Sequence, residues 1–189
     1  MKSLRTFIAV EISAAVRTKA EELIELLRAS RADVKWVEPH NLHLTLQFLG
    51  DVPENLIAEV CKAVERGAGE VEPFELEICG AGAFPNLGKP RTIWLGAKEG
   101  AERMADLHDN IALTLADLGF QDEDRRYQTH LTIGRVKTMQ NVALLGPLLK
   151  QHVDFPAGKF HVDQATVFSS RLERGGPIYE KLWTANLKF

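Results

Sequence analysis

The stretch Leu42-His43-Leu44-Thr45-Leu46-Gln47-Phe48 alternates apolar with polar residues, and Thr129-His130-Leu131-Thr132-Ile133 repeats the pattern 87 residues later (130 − 43 = 87). Alternation with a period of two is typical of a half-buried β-strand. Each stretch places a histidine and a threonine on one face, with Gln47 beside them in the first, and apolar residues that include Phe48 on the other. The sequence therefore predicts two related strands, each with a polar and an apolar face.

The elements that precede these strands recur at almost the same spacing, which indicates an internal duplication. Ser13 is a suitable N-cap for an amphipathic helix, and a second helical stripe starts near residue 101 and is predicted to end at Gly119. Strand-forming runs at residues 6–10 and 92–96 precede the two helices and lie 86 residues apart (92 − 6 = 86). Each half is therefore expected to begin with a strand, a helix and a second strand.

Each half continues with a further helix and a further strand. Helices are predicted near residues 54–64 and 141–150. The second of these is weaker, because Pro147 interrupts it and proline is costly inside a helix. Alternating patterns at residues 74–78 and 160–168 predict the last strand of each half. Both halves thus have the order strand, helix, strand, helix, strand.

The chain is predicted to form a single domain of two related halves. The first repeat spans about 1–80, a connector rich in glycine and proline spans about 81–91, and the second repeat spans about 92–189. The second repeat ends in a closing hairpin with its turn at Gly175-Gly176-Pro177. If a pseudo-two-fold axis relates the halves, the two histidine-threonine pairs face each other across a cleft.

The composition is that of an ordinary globular protein: 189 residues, a formal net charge of −3, 45% hydrophobic and 26% charged residues. The apolar runs are far shorter than the ~18 residues that a membrane span needs, so we expect no membrane-embedded role. The first residues lack a signal-peptide core, so we expect a cytoplasmic protein in which Cys61 and Cys79 are buried thiols. We also expect a monomer with no obligate protein partner, since no exposed apolar repeat suggests an interface. The slight acidity argues against holding long nucleic acid by bulk charge but leaves a small or locally held nucleotide open.

Two histidines and two hydroxyls facing each other suit displacement at phosphorus. The pKa of an ordinary histidine, ~6.5, lets one ring act as a base and another as an acid near neutral pH. His43 and His130 can therefore activate the attacking oxygen and protonate the leaving oxygen. Thr45 and Thr132 can donate hydrogen bonds to the phosphate oxygens. This chemistry requires no metal and no other cofactor.

A zinc site is the main competing interpretation of the histidines. Zinc needs three or four ligands, and His40 is the only candidate to join His43 and His130. However, His40 lies three residues before His43, and residues three apart lie on opposite faces of a strand. It also follows Glu38-Pro39, a pair that predicts a turn. The sequence therefore favours acid–base catalysis. The remaining histidines are expected to have structural or solvated roles; they are His108, His152 and His161.

The two motifs resemble the paired HxTx motifs of the 2H phosphoesterase superfamily. Within it, the chain is most similar to the RNA 2′,3′-cyclic phosphodiesterases, also called the 2′-5′ RNA ligase family. The resemblance covers nearly the whole chain, because the motif pair, its spacing and the flanking residues all agree. The flanking matches are Arg5-Thr6-Phe7-Ile8-Ala9, Trp36-Val37, Phe48-Leu49-Gly50 and Gly134-Arg135.

The resemblance implies an α+β fold with two lobes, each an antiparallel sheet with helices on its outer side, and a pseudo-two-fold cleft between the lobes. It also implies metal-independent hydrolysis of RNA 2′,3′-cyclic phosphate termini to 2′-phosphomonoesters. Carried over to this chain, it makes His43 the proton donor and His130 the proton acceptor. From the residues alone the two histidines are interchangeable. Thr45 and Thr132 would bind the phosphate.

Three further residues are candidate substrate contacts. Arg135 matches an arginine that is common in the family, but on a regular strand it points away from His130 unless the strand bulges near Gly134. Phe7 and Tyr127 are aromatic neighbours that can stack on a base, and for Phe7 a core position is the alternative. The chain also has Thr129 where family members often have proline, which removes no catalytic group.

The expected ligand is RNA with a 2′,3′-cyclic phosphate end or a small nucleotide. Ligation is cleavage of a 2′-5′ linkage run backwards, so the same residues also serve a 2′-5′ RNA ligase. A binding module for terminally phosphorylated RNA, or a relative acting on small cyclic nucleotides, is a further alternative. The sequence does not separate these possibilities.

Overall fold

The computed structural model describes residues 2–121 and 125–188. Short 3-10 turns precede β3 and α2, at Pro39–Asn41 and Glu54–Leu56. In chain order the elements are β1 Ser3–Glu11, α1 Ala14–Arg28, β2 Val34–Trp36, β3 His43–Pro53, α2 Ile57–Ala68, β4 Phe74–Phe84, β5 Thr92–Ala97, α3 Ala101–Ala116, β6 His130–Val136, α4 Val142–Gln151, β7 Pro156–Val162, β8 Gln164–Glu173 and β9 Gly176–Asn186.

The described strands form two antiparallel sheets, one of four strands in the order β3-β1-β8-β9 and one of five in the order β2-β6-β5-β4-β7. Helix α1 packs against β7 and α4 against β4, while α2 packs against β8, β9 and α3. Apolar side chains between the sheets and the helices form the main hydrophobic core. The predicted α+β fold with two antiparallel sheets and outer helices is confirmed.

The first helix forms where the sequence predicts it. The Ser13 Oγ accepts a hydrogen bond from the Val16 N–H at 3.2 Å and so caps α1. The stripe of α1 that includes Leu23 and Leu27 is fully buried. Helix α4 is continuous through Pro147, which the sequence analysis expected to interrupt it. No helix in residues 2–121 and 125–188 is long and apolar enough to cross a lipid bilayer.

Two predicted boundaries differ from the structure. Residues 160–168 do not form one strand: β7 ends at Val162, and β8 begins at Gln164 in the other sheet. Strand β4 continues to Phe84, so residues 81–84 belong to a strand rather than to the connector. The alternation predicts strand residues correctly, but it does not reveal which sheet they join, because partners distant in sequence decide that.

The two halves of the chain exchange strands. Strands β2 and β4 come from the first half but pair with β6, β5 and β7 in the five-stranded sheet. Strands β8 and β9, the closing hairpin, come from the second half but pair with β1 in the four-stranded sheet. Each lobe therefore contains strands of both halves, and the division into two repeats remains a proposal about the sequence.

Candidate active site

The two motif strands, β3 and β6, come from different sheets and approach each other across the cleft. Leu44 and Leu131, on their opposite faces, are fully buried in the core. The side chains of His43 and His130 are half-buried. The structure therefore has the polar and apolar faces that were predicted for the two four-residue motifs.

Both histidine rings are held in the same way by the backbone. The His43 Nδ1 lies 2.6 Å from the Asn41 carbonyl oxygen, and the His130 Nδ1 lies 2.8 Å from the Gln128 carbonyl oxygen. A carbonyl oxygen only accepts hydrogen bonds, so Nδ1 carries the proton in each neutral ring. In both rings Nε2 is therefore the atom that can gain or lose a proton in a reaction.

The His43 ring is enclosed by aromatic side chains and by its own motif threonine. Its Nε2 lies 3.0 Å from the Thr45 Oγ1, and its ring centroid is 4.9 Å from that of Phe7 and 5.3 Å from that of Tyr179. Burial lowers the pKa of His43, and the positive charge of Arg135 lowers it further. His43 is therefore largely neutral at pH 7 in the free protein.

A β-bulge in β6 turns Arg135 into the cleft. Thr92 of β5 lies opposite Arg135, and Trp94 lies opposite Thr132, so three residues of β6 span the distance of two in β5. On a regular strand, residues three apart lie on opposite faces. Because of the bulge, Arg135 and Thr132 lie on the same face. The Arg135 Nη1 donates a hydrogen bond to the Thr92 Oγ1 at 3.3 Å, which fixes the guanidinium beside the motif.

A similar bulge in β3 exposes Phe48. Gln47 is buried, with 5% of its surface exposed, whereas Phe48 is 60% exposed at the cleft. The expectation that Gln47 shares the face of His43, and that Phe48 lies on the opposite face, is wrong because the pairing of β3 with β1 shifts register after Thr45. Phe48 occupies the position in β3 that Arg135 occupies in β6, at the motif offset of 87 (135 − 48 = 87).

The bulges also correct the alignment of the two halves. Phe7 pairs with Phe48 in one sheet as Thr92 pairs with Arg135 in the other. The equivalent residues of β1 and β5 are therefore 85 apart (92 − 7 = 85) rather than 86. A slip of one residue exchanges the faces of a strand, so this correction decides which side chains of β1 and β5 are equivalent.

Between the motif strands lies a cleft with a volume of about 450 Å³, which suits a nucleotide. Phe84 stands beside His130, with ring centroids 5.1 Å apart and the rings nearly perpendicular. Residues from both sheets line this central cleft, including Thr45, Phe48, Phe84, Arg126, Tyr127, His130, Thr132 and Arg135.

Both aromatic residues proposed for base stacking pack against neighbouring rings. Phe7 is only 3% exposed and packs with Phe168 under the His43 ring, so the alternative of a core position is correct. Tyr127 lines the cleft, but its ring stacks on His108 at 4.3 Å. The Tyr127 hydroxyl donates a hydrogen bond to the Thr45 carbonyl at 2.9 Å, and burial raises its pKa. Tyr127 is thus placed to position the first motif.

The remaining histidines lie in three different settings, and one of them, His108, also lines the central cleft. His108 is buried in α3 and contacts Asp109, and His161 is exposed and contacts Glu75. His152 contacts Phe155. Within residues 2–121 and 125–188, histidine, cysteine, aspartate and glutamate side chains do not gather in any group of three that could hold a metal ion.

Sequence reasoning missed the contributions of Phe48, Phe84 and Tyr179. Phe48 was detectable, because it lies three residues after Thr45 as Arg135 lies three after Thr132. Phe84 and Tyr179 lie on β4 and β9, whose positions beside the motifs depend on strand order. No local pattern in the sequence carries that information.

Comparison with known proteins places this two-histidine cleft in a family. The model of the 2′-5′ RNA ligase superfamily matches residues 16–174. A Methanothermobacter thermautotrophicus protein named RNA 2′,3′-cyclic phosphodiesterase is 37% identical over 93% of this chain and 95% of its own length. A Thermotoga maritima protein of the same name is 35% identical over 95% of this chain and 94% of its own. The chain belongs to the 2′-5′ RNA ligase superfamily, and the predicted membership is confirmed.

Solved structures agree with the fold. The crystal structure of a Thermus thermophilus protein matches with a TM-score of 0.82 and 28% identity, and covers 98% of both chains. The crystal structure of E. coli LigT complexed with 3′-AMP matches with a TM-score of 0.73 and 25% identity, and covers all of both chains.

Proposed function

We propose that this protein hydrolyses 2′,3′-cyclic phosphate termini of RNA to 2′-phosphomonoesters by two-histidine acid–base catalysis without a metal. The observation that carries this proposal is the matched pair of rings, each with Nδ1 bound to a backbone carbonyl, so that Nε2 is the proton-transfer atom. In His43 this Nε2 also contacts the Thr45 Oγ1. The relatives named RNA 2′,3′-cyclic phosphodiesterase support the choice of substrate.

The reaction needs one proton removed and one supplied. The His130 Nε2 takes a proton from water as the water oxygen attacks phosphorus. The bond from phosphorus to the 3′ oxygen breaks, and the His43 Nε2 gives its proton to that oxygen. The product carries a 2′-phosphate and a 3′-hydroxyl. Proton exchange with solvent then returns both rings to their starting states.

His43 must gain a proton before it can act as the acid, because burial keeps it largely neutral in the free protein. A bound phosphodiester brings a negative charge beside the ring and raises its pKa. Thr45 and Thr132 supply hydroxyl donors for the phosphate oxygens, and Arg135 supplies a guanidinium that can bind two of them. These groups stabilise the charge that develops on the phosphate in the transition state.

The test is turnover of a short RNA that ends in a 2′,3′-cyclic phosphate, with chelator-treated protein and separation of the 2′- from the 3′-monophosphate product. We expect a 2′-phosphate product without added metal. His43→Ala and His130→Ala should each lower kcat by at least ~10²-fold, since each removes a general acid or base. His161→Ala is the matched control, because His161 is exposed on β7 and contacts Glu75.

Each other outcome points to a different function. Most of the activity remaining in both histidine variants would exclude the two-histidine mechanism. Tight retention of the RNA without turnover would favour the binding module, and joining of a second RNA with a 5′-hydroxyl end would favour the 2′-5′ ligase. A 3′-phosphate product would reverse the assignment of the leaving oxygen.

We also propose that the protein works as a cytoplasmic monomer without a protein partner. Cys61 and Cys79 are both free thiols and both buried, which supports a reducing compartment. Light scattering of the purified protein across a concentration series tests the oligomeric state. A mass of twice 21.1 kDa would contradict a monomer.

A further inference from the structure

A second groove adjoins the central cleft on the His130 side of the molecule. Its volume is about 630 Å³, and Trp94, Lys98, Arg126, Tyr127 and Gln128 are among its lining residues. We call it the Trp94 groove. Arg126, Tyr127 and Gln128 also line the central cleft, so the two spaces adjoin each other along this segment.

The floor of the groove is an aromatic surface laid over glycines. The six-membered ring of Trp94 lies so close to Gly82 that an added Cβ there would come within 2.3 Å of it, and a Cβ at Gly96 within 3.2 Å. The indole N–H is buried and has no hydrogen-bond partner among the described residues. Packing on the glycines and against Phe84, whose ring centroid is 5.1 Å away, therefore holds the Trp94 ring on the sheet without a hydrogen bond.

The rim of the groove carries cations beside carboxylates. Lys98 and Arg126 are both lining residues, opposed by the carboxylate of Glu102. Lys98 is 56% exposed, and its Nζ lies 3.9 Å from the Asp154 Oδ1, which brings a second carboxylate beside the rim. An aromatic floor with exposed cations beside it can bind single-stranded nucleic acid, because a base stacks on the ring while its phosphate meets Lys98 or Arg126.

We propose that the Trp94 groove binds the nucleotide that precedes the terminal one of the RNA, a step that rests on the proposed function. The central cleft and the groove are each large enough for one nucleotide. The cavity that His43 itself lines, together with Phe7, Arg17 and Lys181 among others, is only about 200 Å³ and shares none of its lining residues with the central cleft. The groove is therefore the continuation of the cleft that fits a second nucleotide.

This assignment predicts that substrate length matters up to two nucleotides. The unaltered protein should hydrolyse a dinucleotide with a terminal 2′,3′-cyclic phosphate with a kcat/KM about tenfold above that of the mononucleoside 2′,3′-cyclic phosphate. A third nucleotide should add little, since the groove accommodates one. Stacking on an aromatic ring tolerates any base, so the preference should depend weakly on sequence.

Two variants test the groove independently. Trp94→Leu should lower kcat/KM for the dinucleotide by about tenfold and so abolish the length preference, while Trp94→Phe should retain most of it. Lys98→Gln should lower the dinucleotide value by about threefold, as expected for one exposed charge contact. It should also make the slope of log kcat/KM against log salt shallower by roughly 0.7. Lys150→Gln, a lysine of the last turn of α4, is the matched control.

The mononucleoside substrate separates the possible failures. Equal losses on both substrates in Trp94→Leu and Lys98→Gln would overturn the proposal, because those residues would then act on the central cleft. A length preference absent from the unaltered protein would also overturn it. If that protein hydrolysed neither substrate, the proposed function itself would fail. Loss confined to the dinucleotide, in a folded Lys98→Gln variant, is the result we expect.

Discussion

Two backbone carbonyls set the chemistry that His43 and His130 can perform. Because each Nδ1 donates to a carbonyl, every proton that the rings exchange with substrate passes through Nε2. The environments then separate the two rings, since His43 is enclosed by Phe7 and Tyr179 and lies in the field of Arg135. The pair is thus symmetric in orientation and asymmetric in surroundings, which is a basis for dividing the acid and base roles.

The pH dependence of kcat/KM tests this division, because it reports the pKa values of the free enzyme. If His43 is the acid, kcat/KM falls as pH rises through a pKa that lies below the ordinary 6.5. Arg135→Gln removes a positive charge that lowers this pKa, so the basic limb of the profile should move to higher pH. The maximum should fall by at least ~10-fold as a charged phosphate contact is lost.

Arg66→Gln, on α2, is the control for that measurement and should leave the profile unchanged. A shift of the acidic limb instead of the basic limb would make His43 the base. No shift of either limb in Arg135→Gln would mean that the guanidinium does not act on the His43 ring.

Tyr127 is a positioning residue that connects the chain before β6 to the first motif. Tyr127→Phe keeps the stack on His108 but leaves the Thr45 carbonyl without its donor. We expect a loss of about 1 kcal/mol in the free energy of unfolding. We also expect kcat to fall several-fold with KM nearly unchanged, because Thr45 is displaced rather than removed.

Tyr127→Leu also loses the stack on His108, so it should lower both the free energy of unfolding and kcat further. Thermal melts and steady-state kinetics equal to those of the parent would show that the hydrogen bond is dispensable.

At the scale of single strands, the bulges decide which side chains reach the substrate. The four-residue motifs were predictable, because alternation holds over a few residues and the apolar faces of β3 and β6 are buried as expected. The orientation of Phe48 and Arg135 was not, because one extra residue reverses parity beyond the bulge. A bulge depends on how β3 pairs with β1, or β6 with β5, so the local sequence does not determine it. Near Gly134 the sequence analysis could therefore name a bulge only as the alternative to a regular strand.

The contact between α2 and α3 gives a prediction for these elements. An added Cβ at Gly67 would come within 2.7 Å of the Ile111 Cα and 2.8 Å of the Asn110 carbonyl oxygen, both backbone atoms that cannot move aside. Gly67→Ala should therefore destabilise the protein by about 1–3 kcal/mol through overpacking. This effect opposes the gain of up to ~1 kcal/mol that alanine gives inside a helix.

Thermal denaturation of Gly67→Ala measures that balance. Gly175→Ala is the control, because a Cβ there would meet nothing within 4 Å. An unchanged or higher melting temperature for Gly67→Ala would show that the two helices separate at little cost.

At the scale of the whole molecule, strand exchange makes the two halves depend on each other. Periodicity predicted most of the order of elements, but it missed β2 and the break between β7 and β8. It did not predict the sheet order, since β4 and the β8–β9 hairpin pair with strands of the other half. Such pairings depend on contacts distant in sequence, which no local pattern contains. The central cleft, which Thr45 of one half and His130 of the other both line, therefore requires both halves.

Separating the halves tests this dependence. A fragment of residues 1–88 keeps β1 and β3 but lacks β8 and β9, and its β4 has neither of its partners, β5 and β7. A fragment of residues 89–189 has the converse defect, so each leaves strand edges and apolar surface uncovered. We expect neither fragment alone to show a cooperative unfolding transition by circular dichroism. An equimolar mixture should recover the transition and part of the activity, because the exchanged strands bind the fragments together. Cooperative unfolding of either fragment by itself would contradict this account, and the repeats would then be independent folding units.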